Sequence, residues 1–299
     1  MKIIGAGLAG LIAANVFPQA TIIEAAGRNK VEHKAVLRFR STAVADATGI
    51  EFRKVRVNKG IFSYVASRQG RFVAPSIQLA NMYSKKAIGN FSDRSIWNLE
   101  PSDRYIAPED FIPQLIQNCD NRISWGEAFD FSKSQEAVIS TAPMSVAVKA
   151  LGVENSPTFS YRNIFVKRFR IQNADVFQTV YFPDPETGVY RASITKDLLI
   201  IEAVREINDA DVEMVNQAFW VGETSEIESS KHSFGKIALI DDAWRKNFIL
   251  KLSTERKIFS VGRFATWRNI LLDDVVHDLS VVKKLIKLGN YQLTKEAAS

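Results

Sequence analysis

A glycine-rich turn near residue 5 limits what can surround it more than any other feature of the chain. Lys2 to Ile4 read as a short buried strand, Gly5-Ala6-Gly7-Leu8-Ala9-Gly10 follows at once, and an apolar helical stretch then runs to about Phe17. Thr21, Ile22 and Ile23 make a second strand ending at Glu24, so the order is strand, glycine turn, helix, strand. Gly5 permits the tight turn, Gly7 lets backbone amides approach a pyrophosphate with no side chain between, and Gly10 allows close helix-to-strand packing. The helix amino end attracts diphosphate charge. Glu24, 19 positions after Gly5, puts a carboxylate where an adenosine ribose would donate hydrogen bonds, and it disfavours a ribose 2′-phosphate.

The remaining composition is that of an ordinary globular chain. With 299 residues, 46% hydrophobic and 24% charged, it excludes disorder, collagen-like repeats and disulfide scaffolds, and it is long enough to enclose a ligand. The single cysteine, Cys119, cannot form an internal disulfide, which fits a reducing compartment. No apolar run approaches the roughly 18 residues of a membrane span, and the first hydrophobic run carries the glycine motif that signal cleavage would destroy. The expectation is a cytoplasmic protein with no membrane partner. Lys plus Arg is 39 against 33 acidic residues, a net charge of +6, which favours anionic partners: cofactor phosphate, a phosphorylated substrate or nucleic acid.

Both kinds of element are interleaved along the chain, with no internal repeat. Glu51 to about Phe72 read as strands with turns at Lys59-Gly60 and Gln69-Gly70, and Pro75 to Tyr83 as a helix. Pro108 to Gln117 fits a helix with Pro108 in its first turn; strands follow at Arg122 to Trp125 and Ala137 to Ser140. A strand-rich block spans Tyr161 to Val204, with turns at Pro183-Asp184-Pro185 and Thr187-Gly188. Helices begin at Asp209 and Asp241, the latter with Trp244, Phe248 and Leu252 at four-residue spacing. Lys257 to Val261 is a final strand, and Asp273 or Asp274 caps a terminal helix to about Leu288. Nucleotide-binding elements at 1–50, 105–155 and 235–299 would bracket strand-rich insertions at 51–104 and 156–234 that form a second domain.

Several segments together resemble the glutathione-reductase-type flavoproteins, in the branch of amine oxidases, protoporphyrinogen oxidase and UDP-galactopyranose mutase. Beside the first motif, Ala137-Val138-Ile139-Ser140-Thr141-Ala142-Pro143 is similar to the central strand and turn by which such chains leave the cofactor domain. Val189-Tyr190-Arg191-Ala192-Ser193 followed by Ile200-Ile201-Glu202 resembles a strand pair of the mutase-like substrate region. Phe259-Ser260-Val261-Gly262-Arg263-Phe264-Ala265-Thr266-Trp267 is similar to the return to the flavin. The resemblance implies an α/β fold: a Rossmann-like FAD-binding domain with an inserted strand-rich α+β substrate domain.

It also implies FAD, with Gly5, Ala6, Gly7, Leu8, Ala9 and Gly10 around the pyrophosphate and Glu24 and Ala25 at the ribose. By the same resemblance Thr141 and Gly262 contact the cofactor, Arg263 lies near the diphosphate, Ala128 and Phe129 border adenine, and Leu272, Asp273 and Asp274 face the pyrimidine edge of the flavin. The family carries an arginine and paired glycines after the ribose acid; here Gly27-Arg28 and then His33 to Ser41 follow, and Arg38 or Arg40 replaces those contacts.

Flavin would supply the redox chemistry, so the chain has to orient a substrate and control proton access. Tyr83, Trp97, Tyr105, Tyr181, Tyr190 and Trp267 are the aromatic candidates for a substrate face, and Arg94, Arg104 and Arg191 the candidate anion clamps. Trp267, Tyr181 and Arg191 are the catalytic candidates. His33, His232 and His277 lack metal-ligand spacing, and no metal is expected. Arg162, Lys167, Arg168 and Arg170, interleaved with Phe165 and Phe169, fit either a strand that tracks nucleic acid or a solvated sheet face. The expected activity is oxidation of a carbon–nitrogen bond in an amine or amino-acid-like group, free or attached to DNA as in some compact phage flavoproteins. The alternatives are a mutase-like flavin enzyme without net redox and a noncatalytic, nucleotide-responsive DNA-binding module.

Overall fold

A computed structural model describes residues 1–28, 37–65, 69–91, 95–133, 136–222 and 224–297, with side chains at 233–234 and beyond 289 left aside. His33 and Arg94 lie outside the described residues. In chain order, β1 (Lys2–Ile4), α1 (Leu8–Val16), β2 (Thr21–Glu24), β3 (Arg38–Phe39) and α2 (Ala43–Thr48) lead to β4 (Arg53–Ser63), β5 (Arg71–Phe72) and α3 (Ile77–Ile88). Next come β6 (Ser102–Ile106), α4 (Phe111–Gln117), β7 (Ile123–Trp125), β8 (Val138–Ser140) and α5 (Met144–Ala150). The last part runs through β9 (Tyr161–Ile171), β10 (Val176–Tyr181), β11 (Val189–Lys196), β12 (Leu198–Ala203), α6 (Asp209–Phe219), β13 (Thr224–Ile237), α7 (Asp242–Arg256), β14 (Ile258–Ser260) and α8 (Leu272–Ala297). Two compact units result: Met1–Arg53 with Tyr105–Phe159 and Leu239–Ser299, and Lys54–Arg104 with Ser160–Ala238. Among the described residues no helix is long and apolar enough to cross a membrane.

The first unit is built on a parallel sheet in the order β14-β8-β1-β2-β7. Its central strands bury both faces, so Ile3, Ile22, Val138, Ile139 and Ile258 are fully enclosed and the sequence shows unbroken apolar runs instead of alternation. Helix α1 lies against this sheet through Leu11, Ile12, Ala13 and Ala14, and Phe39, Phe52 and Phe111 pack beside it, Phe52 to Phe111 edge-to-face at 5.2 Å. Arg122 donates to the carbonyls of Ala14 and Ala20 at the carboxyl end of α1, where the helix dipole favours a cation. Helix α4 starts at Phe111 and not at Pro108, whose carbonyl instead accepts from the Phe111 amide; it is Pro113 that occupies the first turn, where no N–H is needed. Helix α8 continues past Leu288.

The second unit holds strands in the order β13-β9-β12-β11-β10-β4, antiparallel throughout except that β10 runs parallel to β4. Side chains alternate between two faces. On one, Phe169, Ile194, Leu199 and Ile201 meet Met214, Val215 and Ala218 of α6, whose start is fixed by a capping box between Asn208 and Asp211. On the other, Ile61, Val166, Tyr181 and Tyr190 meet Leu79, Ala80 and Tyr83 of α3, which extends five residues beyond the Tyr83 limit expected from sequence, to Ile88.

One expectation fails in this unit, and one strand is unforeseen. Lys59-Gly60 is no turn: β4 runs straight through it, and the Phe72 ring lies where a Cβ on Gly60 would stand, 2.7 Å away. Strand β13 is unanticipated, because a polar edge strand pairs through its backbone and shows no apolar alternation.

Candidate functional site

Within the first unit the carboxyl ends of β1 and β2 open onto a cavity of about 670 Å³, inside the roughly 300–1,000 Å³ range of ligand clefts. Backbone bonds converge there. The Gly5 amide donates to the Ile23 carbonyl at 2.8 Å, and Thr141, just past β8, donates its hydroxyl to the Ile4 carbonyl at 2.7 Å. Gly5 has φ of +94°, and a Cβ would fall 2.6 Å from Thr141 Oγ1. At Gly10 an added Cβ would lie 1.8 Å from the Gly5 carbonyl oxygen, whereas at Gly7 it would meet no protein atom within 4 Å. The turn is thus closed toward the protein and open toward the cavity, the shape a diphosphate needs.

Glu24 sits at one side of this opening. Its carboxylate accepts from the Ala6 amide at 2.6 Å and the Ala26 amide at 2.7 Å, while its own carbonyl accepts from the Glu127 amide at 2.9 Å. Those bonds hold the carboxylate in one orientation and leave acceptor capacity for further donors.

The opposite wall comes from the stretch after β14. Gly262 also has φ of +94°, and a Cβ on it would lie 2.9 Å from Ala9 Cβ, so the late turn and helix α1 touch. The Gly262 carbonyl accepts from the Thr266 amide and hydroxyl at 3.0 and 2.7 Å, and the Met144 amide donates to the Phe264 carbonyl at 2.9 Å. Arg263 lines the cavity with its guanidinium 5.4 Å from the Phe264 ring centre, and Leu271, Leu272 and Asp273 bring in the amino end of α8.

Most residues singled out from sequence for cofactor contact line this cavity: Gly5, Gly7, Leu8, Ala9, Glu24, Ala25, Arg38, Phe129, Thr141, Gly262, Arg263, Leu272 and Asp273. Ala6, Gly10, Arg40, Ala128 and Asp274 are not among its lining residues. Ala6 acts through its amide on Glu24, and Gly10 through its closeness to Gly5. Arg40 and Asp274 face each other, Nη2 to Oδ1 at 2.7 Å. Glu127, Leu37 and Phe39 line the cavity without having been anticipated; their signal was only proximity in sequence to Phe129 and Arg38.

The catalytic candidates sit in packed or ion-paired positions. Trp267 does not line the cavity; it is buried, with its ring edge-on to Phe159 at 4.9 Å. Tyr181 is buried in the second unit with Tyr83, ring centres 5.4 Å apart, and Tyr83 also meets Tyr190. Arg191 is bound to Glu202, which also accepts from the Tyr190 hydroxyl at 3.1 Å. Burial works to raise the Glu202 carboxyl, but the Arg191 guanidinium overcomes it and holds it below its ordinary value. Burial, and then the Glu202 charge, push the Tyr190 hydroxyl well above its own. Arg104 donates to the adjacent Asp103 carbonyl.

The basic strand is engaged by acids. On β9, Lys167 pairs with Glu226, Arg168 with Glu228 and Arg170 with Asp197, while the Arg162 guanidinium lies against Gly89. Arg168 is only 5% exposed. Such pairing leaves little of the open positive stripe that a nucleic-acid backbone needs. Among the described residues no group of His, Cys, Asp and Glu is placed to hold a metal ion.

No family model matches the chain. No curated protein sequence matches it either. Solved structures do. A reduced UDP-galactopyranose mutase is similar with a TM-score of 0.61 at 12% identity, over 96% of this chain and 93% of that one. An oxidoreductase from Methanosarcina mazei gives 0.58 at 11% identity, over 95% and 100%. Aklavinone-11 hydroxylase, in a ternary complex with FAD and aklavinone, gives 0.50 at 12%, over 97% and 62%. With its parallel sheet and its second, strand-rich sheet, the chain has the α/β Rossmann-type fold of these proteins.

Proposed function

We propose that the chain binds FAD in the cavity of its first unit and acts as an FAD-dependent oxidoreductase. The observation that carries this reading is the turn at Gly5 to Gly10, shut against its own carbonyl at Gly10 and open at Gly7, directly beside Gly262 and Arg263. In this reading Glu24 accepts from the adenosine ribose with its carboxylate aimed by the Ala6 and Ala26 amides, and Phe129 flanks the base. Arg38 and Arg263 offer guanidinium charge to the diphosphate, with the amide edge of α1 facing it. Bound FAD would supply a two-electron acceptor. The cavity walls are largely Ile, Leu, Ala, Pro and Phe.

The substrate class we infer is an amine or amino-acid-like group whose carbon–nitrogen bond is oxidised by hydride transfer. It rests on the sequence resemblance and on the flavoprotein fold. The amine has to react neutral, since protonation removes the lone pair that assists hydride departure. A visible spectrum of the purified protein is the first test: flavin bands, and flavin released on denaturation, are expected, and a colourless protein that takes up no added FAD refutes the reading. Anaerobic bleaching by a member of an amine panel, aminated DNA included, is expected next.

The alternative that the resemblance to the mutase branch implies is a reaction without net redox. Turnover that appears only after dithionite reduction would select it.

A further inference from the structure

The amino end of α8 carries two carboxylates where a helix dipole, roughly half a positive charge, would alone attract an anion. Asp273 lines the cavity and is 9% exposed; it accepts from the Ser41 amide at 3.0 Å, the Ser41 hydroxyl at 2.8 Å and the Arg40 amide at 3.2 Å. Asp274 accepts from the Leu271 amide at 2.8 Å through one oxygen and from Arg40 Nη2 at 2.7 Å through the other. Arg40 Nε stands 3.8 Å from Asp273. One guanidinium therefore bridges both acids, and the remaining donors are neutral. Uncompensated, two carboxylates outweigh the helix end and turn its field against any negative charge that grows in the cavity.

We propose that Arg40 is a positioning residue that, by neutralising Asp273 and Asp274, sets the electrostatic field which α8 directs at a flavin in the cavity and so keeps its reduction potential up. The inference rests on the FAD reading. It follows from charge balance: reduction adds negative charge to the flavin, adenosine at Glu24 and diphosphate at Gly7 leave the ring for the α8 side, and whatever makes that side more negative disfavours the reduced form. Arg40 does this without touching the cofactor.

The test is the midpoint potential of the purified flavoprotein, read by equilibration with a reference dye. Arg40→Gln should disfavour the reduced form by about tenfold, a fall of about 30 mV for a two-electron couple. Arg40→Lys keeps the charge and should stay near the wild type. Asp274→Asn keeps an acceptor for the Leu271 amide, removes one negative charge, and should shift the potential upward by a similar amount. The double variant should return toward the wild type, and the Arg40→Gln shift should shrink at high salt, since the Arg40 side chain is 47% exposed. A merely structural role would not give opposite signs. Should Arg40→Gln fail to fold, Asp274→Asn alone decides. Yellow variants with an unmoved potential, or with both single variants moving the same way, overturn the inference and leave the FAD reading standing; a wild-type protein that takes up no flavin overturns both.

Discussion

The two units put their polar chemistry in different places. In the first, the cavity is shaped by main chain: the Gly5 amide on the Ile23 carbonyl, Thr141 on the Ile4 carbonyl, two turns at positive φ, and Glu24 held by amides. In the second, the sheet is crossed by side-chain ion pairs, Arg168 with Glu228, Arg170 with Asp197 and Arg191 with Glu202. A site walled by backbone is intolerant of an added methyl wherever the turn packs on itself, as at Gly10. A sheet laced by side-chain pairs is sensitive to the loss of one partner.

The largest effect should come from the glycines, and it should split. Gly10→Ala places a methyl 1.8 Å from a carbonyl oxygen, so unfolding measurements should show a loss of several kcal/mol, at or beyond the upper end of the about 1–3 kcal/mol usual for overpacking. Gly7→Ala meets no protein atom, so its melting temperature without cofactor should match the wild type while flavin retention falls at least tenfold. Equal damage to stability by both would erase the distinction drawn between packed and open sides of the turn.

The second unit should answer to charge. Arg168→Met leaves Glu228 without its guanidinium at a position where the arginine side chain is 6% exposed, and urea unfolding should show a loss of about 3 kcal/mol with the flavin spectrum unchanged. A loss below about 0.5 kcal/mol would class the pair with ordinary exposed ones.

The smallest effect is a pH slope. Lys86 on α3 donates to the Phe182 and Val189 carbonyls at 2.7 and 2.8 Å, and burial, opposed in part by Asp184, Glu186 and Asp211 and aided by Arg205, lowers it from 10.5 to about 7. Because the folded value is the lower one, the unfolded chain holds more protons between those limits, and stability rises with pH across that window. Relative to Lys86→Met, the wild type should gain about 1 kcal/mol per pH unit above about pH 7. Parallel pH profiles for the two proteins would show that Lys86 keeps its ordinary ionisation.

Legibility in the sequence followed the same division. Gly5, Gly7, Gly10, Glu24 and Gly262 were readable because backbone conformation and close approach admit few residue types, so the type itself reports the geometry. Trp267 was not: a tryptophan that packs on Phe159 and one that faces a ligand look alike in sequence, and the partner is over a hundred positions away. Gly60 misled for a related reason, since glycine also marks a strand crossed by a ring such as Phe72. Arg38 or Arg40 was placed at the cofactor because the resembled family carries an arginine after the ribose acid; that the partners of Arg40 are Asp273 and Asp274 depends on a fold contact spanning more than two hundred residues. Strand β13 carries no alternation to read, as its order comes from pairing with β9.

The contact between Gly262 and Ala9 has a consequence for synthesis on the ribosome. The floor of the cleft is translated some 250 residues before its far wall, and β14 completes the sheet beside β8 only after Ser260 has emerged. In the FAD reading a cofactor therefore meets a two-walled cleft only once the chain has passed Gly262, and until then the β1–α1–β2 segment stands half-walled.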